Sequence, residues 1–306
     1  MIKLGVMGMS AGNGHPYSWS AIVNGEYDEK TMADCGYAGI PVYLAANRDT
    51  LGISGARVTH VWTQERGISE HIAAAAKIDN VVDHAEEMLG CVDAVLLARD
   101  DPENHVAMAK PFLDAGTPIF IDKPLACSRA GLDYFIEQND LRKFFMSCSS
   151  MRYATESRAA KTEFASLGKI ELATAVGKKD WIKYGVHMLE ALFALLDDPQ
   201  ATAVQHVSRS HQDCAVIEFA DGCLATVHLF YEICPTFQIS LFGQNSWRLI
   251  EYKNWYAMFR DNLIEFIRSV QEGRSRLEFS KTVNIISTLL AAQESLENGG
   301  KKIALV

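Results

Sequence analysis

The 306-residue chain has no apolar run approaching the roughly 20 residues a membrane-spanning helix needs. Its N-terminus, MIKLGVMGM, is too short for a signal-peptide core and has no cleavage pattern. It has no CxxC pair. The seven cysteines, at 35, 91, 127, 148, 214, 223 and 234, are scattered and odd in number. That argues against a disulfide framework and points to reduced thiols in the cytoplasm. Basic charge is scarce: 29 Lys and Arg stand against 38 Asp and Glu, a net charge of −9. A nucleic acid or an anionic membrane would want the opposite balance, so a small molecule is the expected partner. No pair of histidines or acids has zinc-ligand spacing, so no metal is expected. There is no internal repeat and no low-complexity segment.

Regular alternation is what the chain does have. Residues 2–7 read as a buried strand, followed by Gly8, Gly12 and Gly14 and a helix from Pro16 to about Asn24, ending near Gly25. Residues 25–57 are rich in Gly and Asp, with Pro41 among them. They read as a long loop whose apolar content (Tyr37, Ile40, Val42, Tyr43, Leu44) favours an ordered lid. Strands follow at 57–63, 81–82, 92–98 and 118–121. Between them lie helices at 69–76 (capped by Ser69), 84–89 and 102–115 (closed by Gly116). Such β-α alternation predicts a doubly wound parallel sheet, a Rossmann-type α/β domain over 1–124. A helix at 125–137 and a strand at 143–147 follow.

Beyond residue 150 the character changes. A helix at 155–166, a strand at 170–176 and a helix at 181–196 come first; strands at 203–208, 215–219, 224–231, 237–242 and 247–252 then predict an antiparallel meander, with Asp221-Gly222 as a hairpin turn. Helices at 255–270 and 283–296 close the chain. Residues 125–306 thus read as a second, α+β domain for substrate and self-association, with the closing helices able to return to the first.

A strand, a glycine turn and a helix together make a pyrophosphate site. Glycines admit close approach of the backbone, and the helix start offers free N–H groups. Here GxGxxG is eroded: Gly8 keeps the first place, Ser10 takes the second and Asn13 the third, with Gly12 and Gly14 alongside. An acid usually ends the second strand to bind the ribose of NAD. This chain has Thr63-Gln64-Glu65-Arg66 there. Thr63 with Arg66 suits the 2′-phosphate of NADP, while Glu65 leaves NAD open.

The segment IFIDKPLA sets Lys123 at the end of a buried strand, before Pro124. Strand ends are where open α/β sheets place ligands, so Lys123 is the first candidate for chemistry. With the glycine turn, the xKP strand end and GVHMLE following in order, the chain resembles the Gfo/Idh/MocA family (glucose–fructose oxidoreductase, inositol dehydrogenase and relatives) over nearly its whole length. The resemblance implies an N-terminal Rossmann domain, a second domain with a largely antiparallel sheet, and NAD(P)-dependent dehydrogenation of sugars, inositols or related polyols. It also implies a homo-oligomer, dimer or tetramer, formed through the open face of the second sheet. The family's EKP falls on Asp122-Lys123-Pro124 and its xTPNxxH on residues 98–105, with Ala98 and His105 as clean matches and Arg99 and Asp100 as departures. Its DxxxHxxD falls on residues 183–190. His187 matches, Glu190 is conservative, and Lys183 replaces the leading acid of the family's catalytic trio.

Oxidising a secondary alcohol needs a hydride acceptor and a group that takes the hydroxyl proton. His187 suits the proton, as base or acid. Lys123 suits the developing alkoxide. Helical spacing would put 183, 187 and 190 on one face, where Lys183 would keep His187 neutral. Lys183, Tyr184, Arg152, Tyr153 and Trp181 are the candidate substrate groups. Gly8, Ser10, Gly12, Asn13, Gly14, Thr63, Arg66, Ala98, Arg99, Asp100, His105, Asp122 and Lys123 are the candidate cofactor groups. A non-catalytic nucleotide- or sugar-binding sensor on the same scaffold is the alternative.

Overall fold

A computed structural model describes residues 1–305. The elements run β1 (Ile2–Met7), α1 (His15–Asn24), α2 (Glu29–Ala33), α3 (Gly39–Ala46), β2 (Ala56–Trp62), α4 (Arg66–Ala76), β3 (Asn80–Val81), β4 (Ala94–Leu97), α5 (His105–Ala115), β5 (Ile119–Ile121), α6 (Arg129–Asp140) and β6 (Phe145–Met146). They continue α7 (Thr155–Lys161), α8 (Phe164–Leu167), β7 (Ile170–Lys178), α9 (Val186–Leu195), β8 (Ala201–Ser208), β9 (Gln212–Phe219), β10 (Leu224–Phe230), β11 (Gln238–Gly243), β12 (Trp247–Glu251), α10 (Trp255–Glu272), α11 (Phe279–Glu297) and β13 (Ile303–Ala304).

The first unit gathers residues 1–125, 133–147 and 259–279. Residues 133–147 and 259–279, placed by sequence in the second domain, thus cluster with the first. Its six strands are all parallel in the order β3-β2-β1-β4-β5-β6. β4 and β5 are buried at every position, as a sheet covered on both faces requires. Trp19 of α1 meets Phe120 of β5 edge-on at 5.5 Å, and Phe120 meets Phe266 of α10 at 5.6 Å. Each such buried ring contributes about 1.5–3 kcal/mol of transfer free energy.

Residues 25–57 are not one long loop. Gly25, at φ 77, ends α1 and donates its N–H to Ala21 O. Asp28 then caps α2 by accepting from Thr31 N. α3 and a short 3-10 turn at Arg48–Thr50 follow. The apolar side chains that suggested order belong to these helices: Ile40 and Leu44 are buried, and Tyr43 OH donates to Ser18 Oγ of α1. α4 begins a turn earlier than expected, at Arg66, so Ser69 is not its cap. Its hydroxyl instead accepts from Thr63 N at 2.8 Å. α6 starts at Arg129 rather than 125, because Pro124 cannot donate to a helix and Leu125 and Ala126 are buried outside it.

The second unit comprises residues 126–132, 148–258 and, of the described residues, 280–305. Its seven strands are ordered β12-β11-β7-β10-β9-β8-β13. The expected meander is interrupted: β7 lies between β10 and β11, parallel to β10 and antiparallel to β11, while the other pairs run antiparallel. Asp221-Gly222 does turn β9 into β10, with Gly222 at φ 88. One sheet face is small and buried: Ala173, Ala175, Ala215, Ala225 and Val227. Gly177 lies so near α9 that an added Cβ would come 3.1 Å from the Met188 side chain. The other face leaves Leu224, Phe242 and Trp247 exposed. The expected helix over 181–196 is split into a π-turn at Trp181–Gly185 and then α9. Among the described residues no helix is long and apolar enough to cross a membrane, and no group of three or more His, Cys, Asp or Glu is placed to hold a metal.

Candidate functional site

In the first unit the C-terminal ends of β1, β4 and β5 carry one buried polar network. Ser10 Oγ donates to Asp100 Oδ1 at 2.6 Å and accepts from Asp100 N at 3.0 Å. The Lys123 ammonium stands 3.3 Å from Asp100 Oδ2. Asp122 accepts from Asn13 Nδ2 at 2.9 Å, from Lys123 N at 2.8 Å, and pairs with His15 Nδ1 at 2.7 Å. Asn13 Oδ1 in turn accepts from His15 N at 2.8 Å. Burial works to raise the Asp122 pKa, but His15 and Lys123 override it and hold the carboxyl below the usual range. Lys123 is only 6% exposed, so its charge acts with little solvent screening.

This network ties the glycine turn to β5 through side chains. Asn13 and Ser10, read as eroded glycines, supply the bonds. Gln64, at the end of β2, clasps the Met9 backbone with Met9 N to Oε1 at 2.8 Å and Nε2 to Met9 O at 2.7 Å. Gly14 is where α3 and the chain before it close on the turn: an added Cβ would fall 2.7 Å from both Tyr37 and Ile40. Gly14→Ala is therefore expected to cost about 1–3 kcal/mol, read as a lowered melting temperature. An unchanged melting curve would show that Tyr37 and Ile40 yield freely. Gly12, at φ 81, is the open position, with nothing within 4 Å of an added Cβ. Its backbone stays approachable, which fits a dinucleotide laid on the turn.

Several expected cofactor groups are struts instead. His105 is fully buried, with Nδ1 3.1 Å from Leu125 O and Nε2 2.9 Å from Arg99 O, so it braces two strand ends rather than facing a ligand. Arg99 is buried and paired with Asp101. Ala98 is buried, its N–H bonded to Met7 O. The Thr63 hydroxyl donates to Glu65 O, and Arg66 lies exposed between Glu70 and Asp83.

In the second unit His187 Nδ1 lies 2.6 Å from Ser149 Oγ, and Tyr184 stands against its ring at 5.4 Å. Residues 183, 187 and 190 do not share a face. The π-turn breaks α-helical spacing, leaving Lys183 exposed while Glu190 is buried. Glu190 does not accompany His187 either. It pairs with Arg152, which also grips Asp198 with two bonds of 2.7 and 3.0 Å. Arg152 is thus not a substrate group; both its charged faces are occupied inside the unit. Burial opposes its charge, yet Glu190 and Asp198 raise its pKa. Trp181 is likewise core, 5% exposed, its ring tilted against His206 at 4.6 Å with Nε1 3.4 Å from Leu289 O. Tyr153 is half-buried, its carbonyl accepting from Arg158. The sequence reading missed His15, Gln64, Ser149 and Lys179. Only His15, directly after the turn, carried a positional signal.

A family model described as "Oxidoreductase family, NAD-binding Rossmann fold" matches residues 34–139. An inositol 2-dehydrogenase from Saccharopolyspora erythraea is 39% identical over 101 residues, covering 31% of this chain and 29% of that protein, so the match spans under a third of the relative. Two solved structures share the fold along the chain. Myo-inositol dehydrogenase from Lactobacillus casei, in complex with NAD(H) and myo-inositol, has TM-score 0.78 and 16% identity, covering 100% of this chain and 97% of that one. GenD2 from gentamicin A biosynthesis, in complex with NAD, has TM-score 0.77 and 16% identity, with coverage of 100% and 96%. The family match begins beyond the glycine turn, the part that departs from the usual pattern. Residues 34–139 thus resemble that oxidoreductase family, and the fold is shared with these solved dehydrogenase structures along the chain.

Proposed function

We propose that the chain is an NAD(P)-dependent dehydrogenase acting on a CH–OH group of a sugar, polyol or sugar-derived acid. The observation that carries this reading is the Lys123 ammonium, buried at the end of a central parallel strand beside Asp100. A buried cation at a strand end is suited to hold an oxygen on which negative charge develops. The turn of Gly8, Gly12 and Gly14 and the start of α1 would hold the dinucleotide phosphates. Bound there, a nicotinamide supplies the hydride acceptor. His187 would take the hydroxyl proton, with Ser149 Oγ on Nδ1 holding the ring. Lys123 would hold the oxygen on which negative charge develops. Myo-inositol, bound by one structural relative, motivates cyclitols as the first substrates to try.

The exposed Leu224, Phe242 and Trp247 of the second sheet support self-association through that face. The sensor reading draws on a different observation: Ser10, Asn13 and Gln64 are all bonded inward, so the turn offers a ligand fewer free donors.

One preparation tests the proposal. NAD and NADP are titrated separately, and a panel of inositols, sugars and sugar acids is screened for absorbance of the reduced nicotinamide. Turnover with one nucleotide, from a species eluting as a dimer or tetramer, is expected. Nucleotide binding with no turnover across the panel would leave the sensor reading. Binding of neither nucleotide would overturn both, and a monomer would remove the assembly.

A further inference from the structure

The acid that the family resemblance places at position 183 is a lysine here, yet the same turn carries another proton-bearing group. Tyr184 sits in the π-turn, its ring 5.4 Å from that of His187. A π-turn inside a helix is a frequent mark of a functional position, because it re-aims the side chains it carries. The Tyr184 ring is fixed from its other side by Phe237, stacked at 6.0 Å and 23°. Phe237 is itself fixed edge-on by Trp255 at 5.2 Å.

Lys179 completes the arrangement. Its backbone is left-handed, φ 83, a conformation that a lysine adopts only where the surroundings impose it. The result is that Nζ lies 4.4 Å from the centre of the Tyr184 ring and donates to the phenol oxygen. Among the described residues no carboxylate pairs with this ammonium. Among those residues, the one hydrogen bond and the one ring contact of this ammonium are both with Tyr184. Since the phenol oxygen accepts from Lys179, its own hydrogen is free to point to a third group.

Resting on the dehydrogenase reading, we infer that Tyr184, held by Lys179, exchanges the proton of the reacting oxygen, the duty left vacant at position 183. In the reducing direction the substrate carbon gains hydride and its oxygen gains the Tyr184 proton. The phenolate left behind faces the Lys179 ammonium until a proton returns from solvent. In the oxidising direction the same phenolate takes the hydroxyl proton as hydride leaves the carbon. An ammonium donor and a cation over the ring both stabilise the charge that appears on oxygen at that moment. His187 then serves as the neighbour that hydrogen-bonds and orients the substrate, rather than as the sole proton carrier.

The test compares Tyr184→Phe, Lys179→Met and Lys179→Arg with the wild type on whichever polyol and nucleotide the screen finds. Tyr184→Phe keeps the ring stack and removes only the hydroxyl. It is expected to lower kcat by about 10²-fold or more, with KM, nucleotide affinity and melting temperature little changed. Lys179→Met should lower kcat by about tenfold or more, and Lys179→Arg, still cationic, should keep a larger share of it. A Tyr184→Phe enzyme within threefold of wild-type kcat would overturn the inference while leaving the dehydrogenase reading intact. So would a loss appearing equally in nucleotide affinity and melting temperature. A wild type inactive on the whole panel would overturn the dehydrogenase reading, and this inference with it.

Discussion

Arg152→Ala is expected to destabilise the protein by about 3–5 kcal/mol, because it strands a buried carboxylate. Arg152 and Glu190 have side chains only 7% and 2% exposed, and Asp198 is 10% exposed. Burial pushes the Glu190 carboxyl up, and Arg152 opposes that by attraction and by a hydrogen bond. Asp198 has a second cation, Lys281 at 3.1 Å, and Burial would raise it, but Arg152 and Lys281 hold it low. Glu190 keeps only Ser149 N, at 3.2 Å, once the guanidinium is gone. A melting temperature lower by roughly 10 °C is the expected readout. Replacing Arg152 and Glu190 together by Met and Leu should recover part of the loss, since an apolar pair leaves no charge unpaired. A single variant melting within a degree or two of wild type would show that water reaches Glu190. The same network fixes the segment carrying Ser149, which holds His187, so the damage should extend to activity.

Lys123→Ala should have the largest effect on turnover. Removing one well-placed donor to a developing oxyanion typically costs about 10²–10³-fold in rate. Nucleotide affinity should stay within a few fold, because Asn13, His15 and the Lys123 backbone N–H still hold Asp122, and Ser10 still holds Asp100. Turnover surviving the change would remove Lys123 from the chemistry. A large loss of nucleotide affinity instead would make it a brace of the glycine turn.

The sheet of the first unit was legible because its strands are short, apolar and bounded by glycine and proline. Period and punctuation are local properties. Residues 25–57 were misread as a loop because α2 and α3 are only five and eight residues long, too short to show helical periodicity. The parallel β7–β10 pair was hidden for another reason. Strand direction depends on the connection through α9, and alternation alone does not reveal it. Lys123 and His187 stood out by motif, but their partners did not. Asp100 lies 23 residues before Lys123, and Ser149 lies 38 before His187. Arg152 was assigned to substrate because an arginine in sequence looks free. Its two carboxylates, 38 and 46 residues away, appear only when the chain is folded. The π-turn at 181–185 undid the helical-face argument for Lys183 and brought Lys179 to Tyr184, which spacing alone could not foretell.

The central claim is that Lys123 and His187 are each needed for the oxidation. It is tested most directly by measuring kcat/KM, followed by reduced-nicotinamide absorbance, for Lys123→Ala and His187→Ala. Each single variant is expected to lower kcat/KM by about 10²-fold or more. Either single variant working within a few fold of wild type would contradict the account.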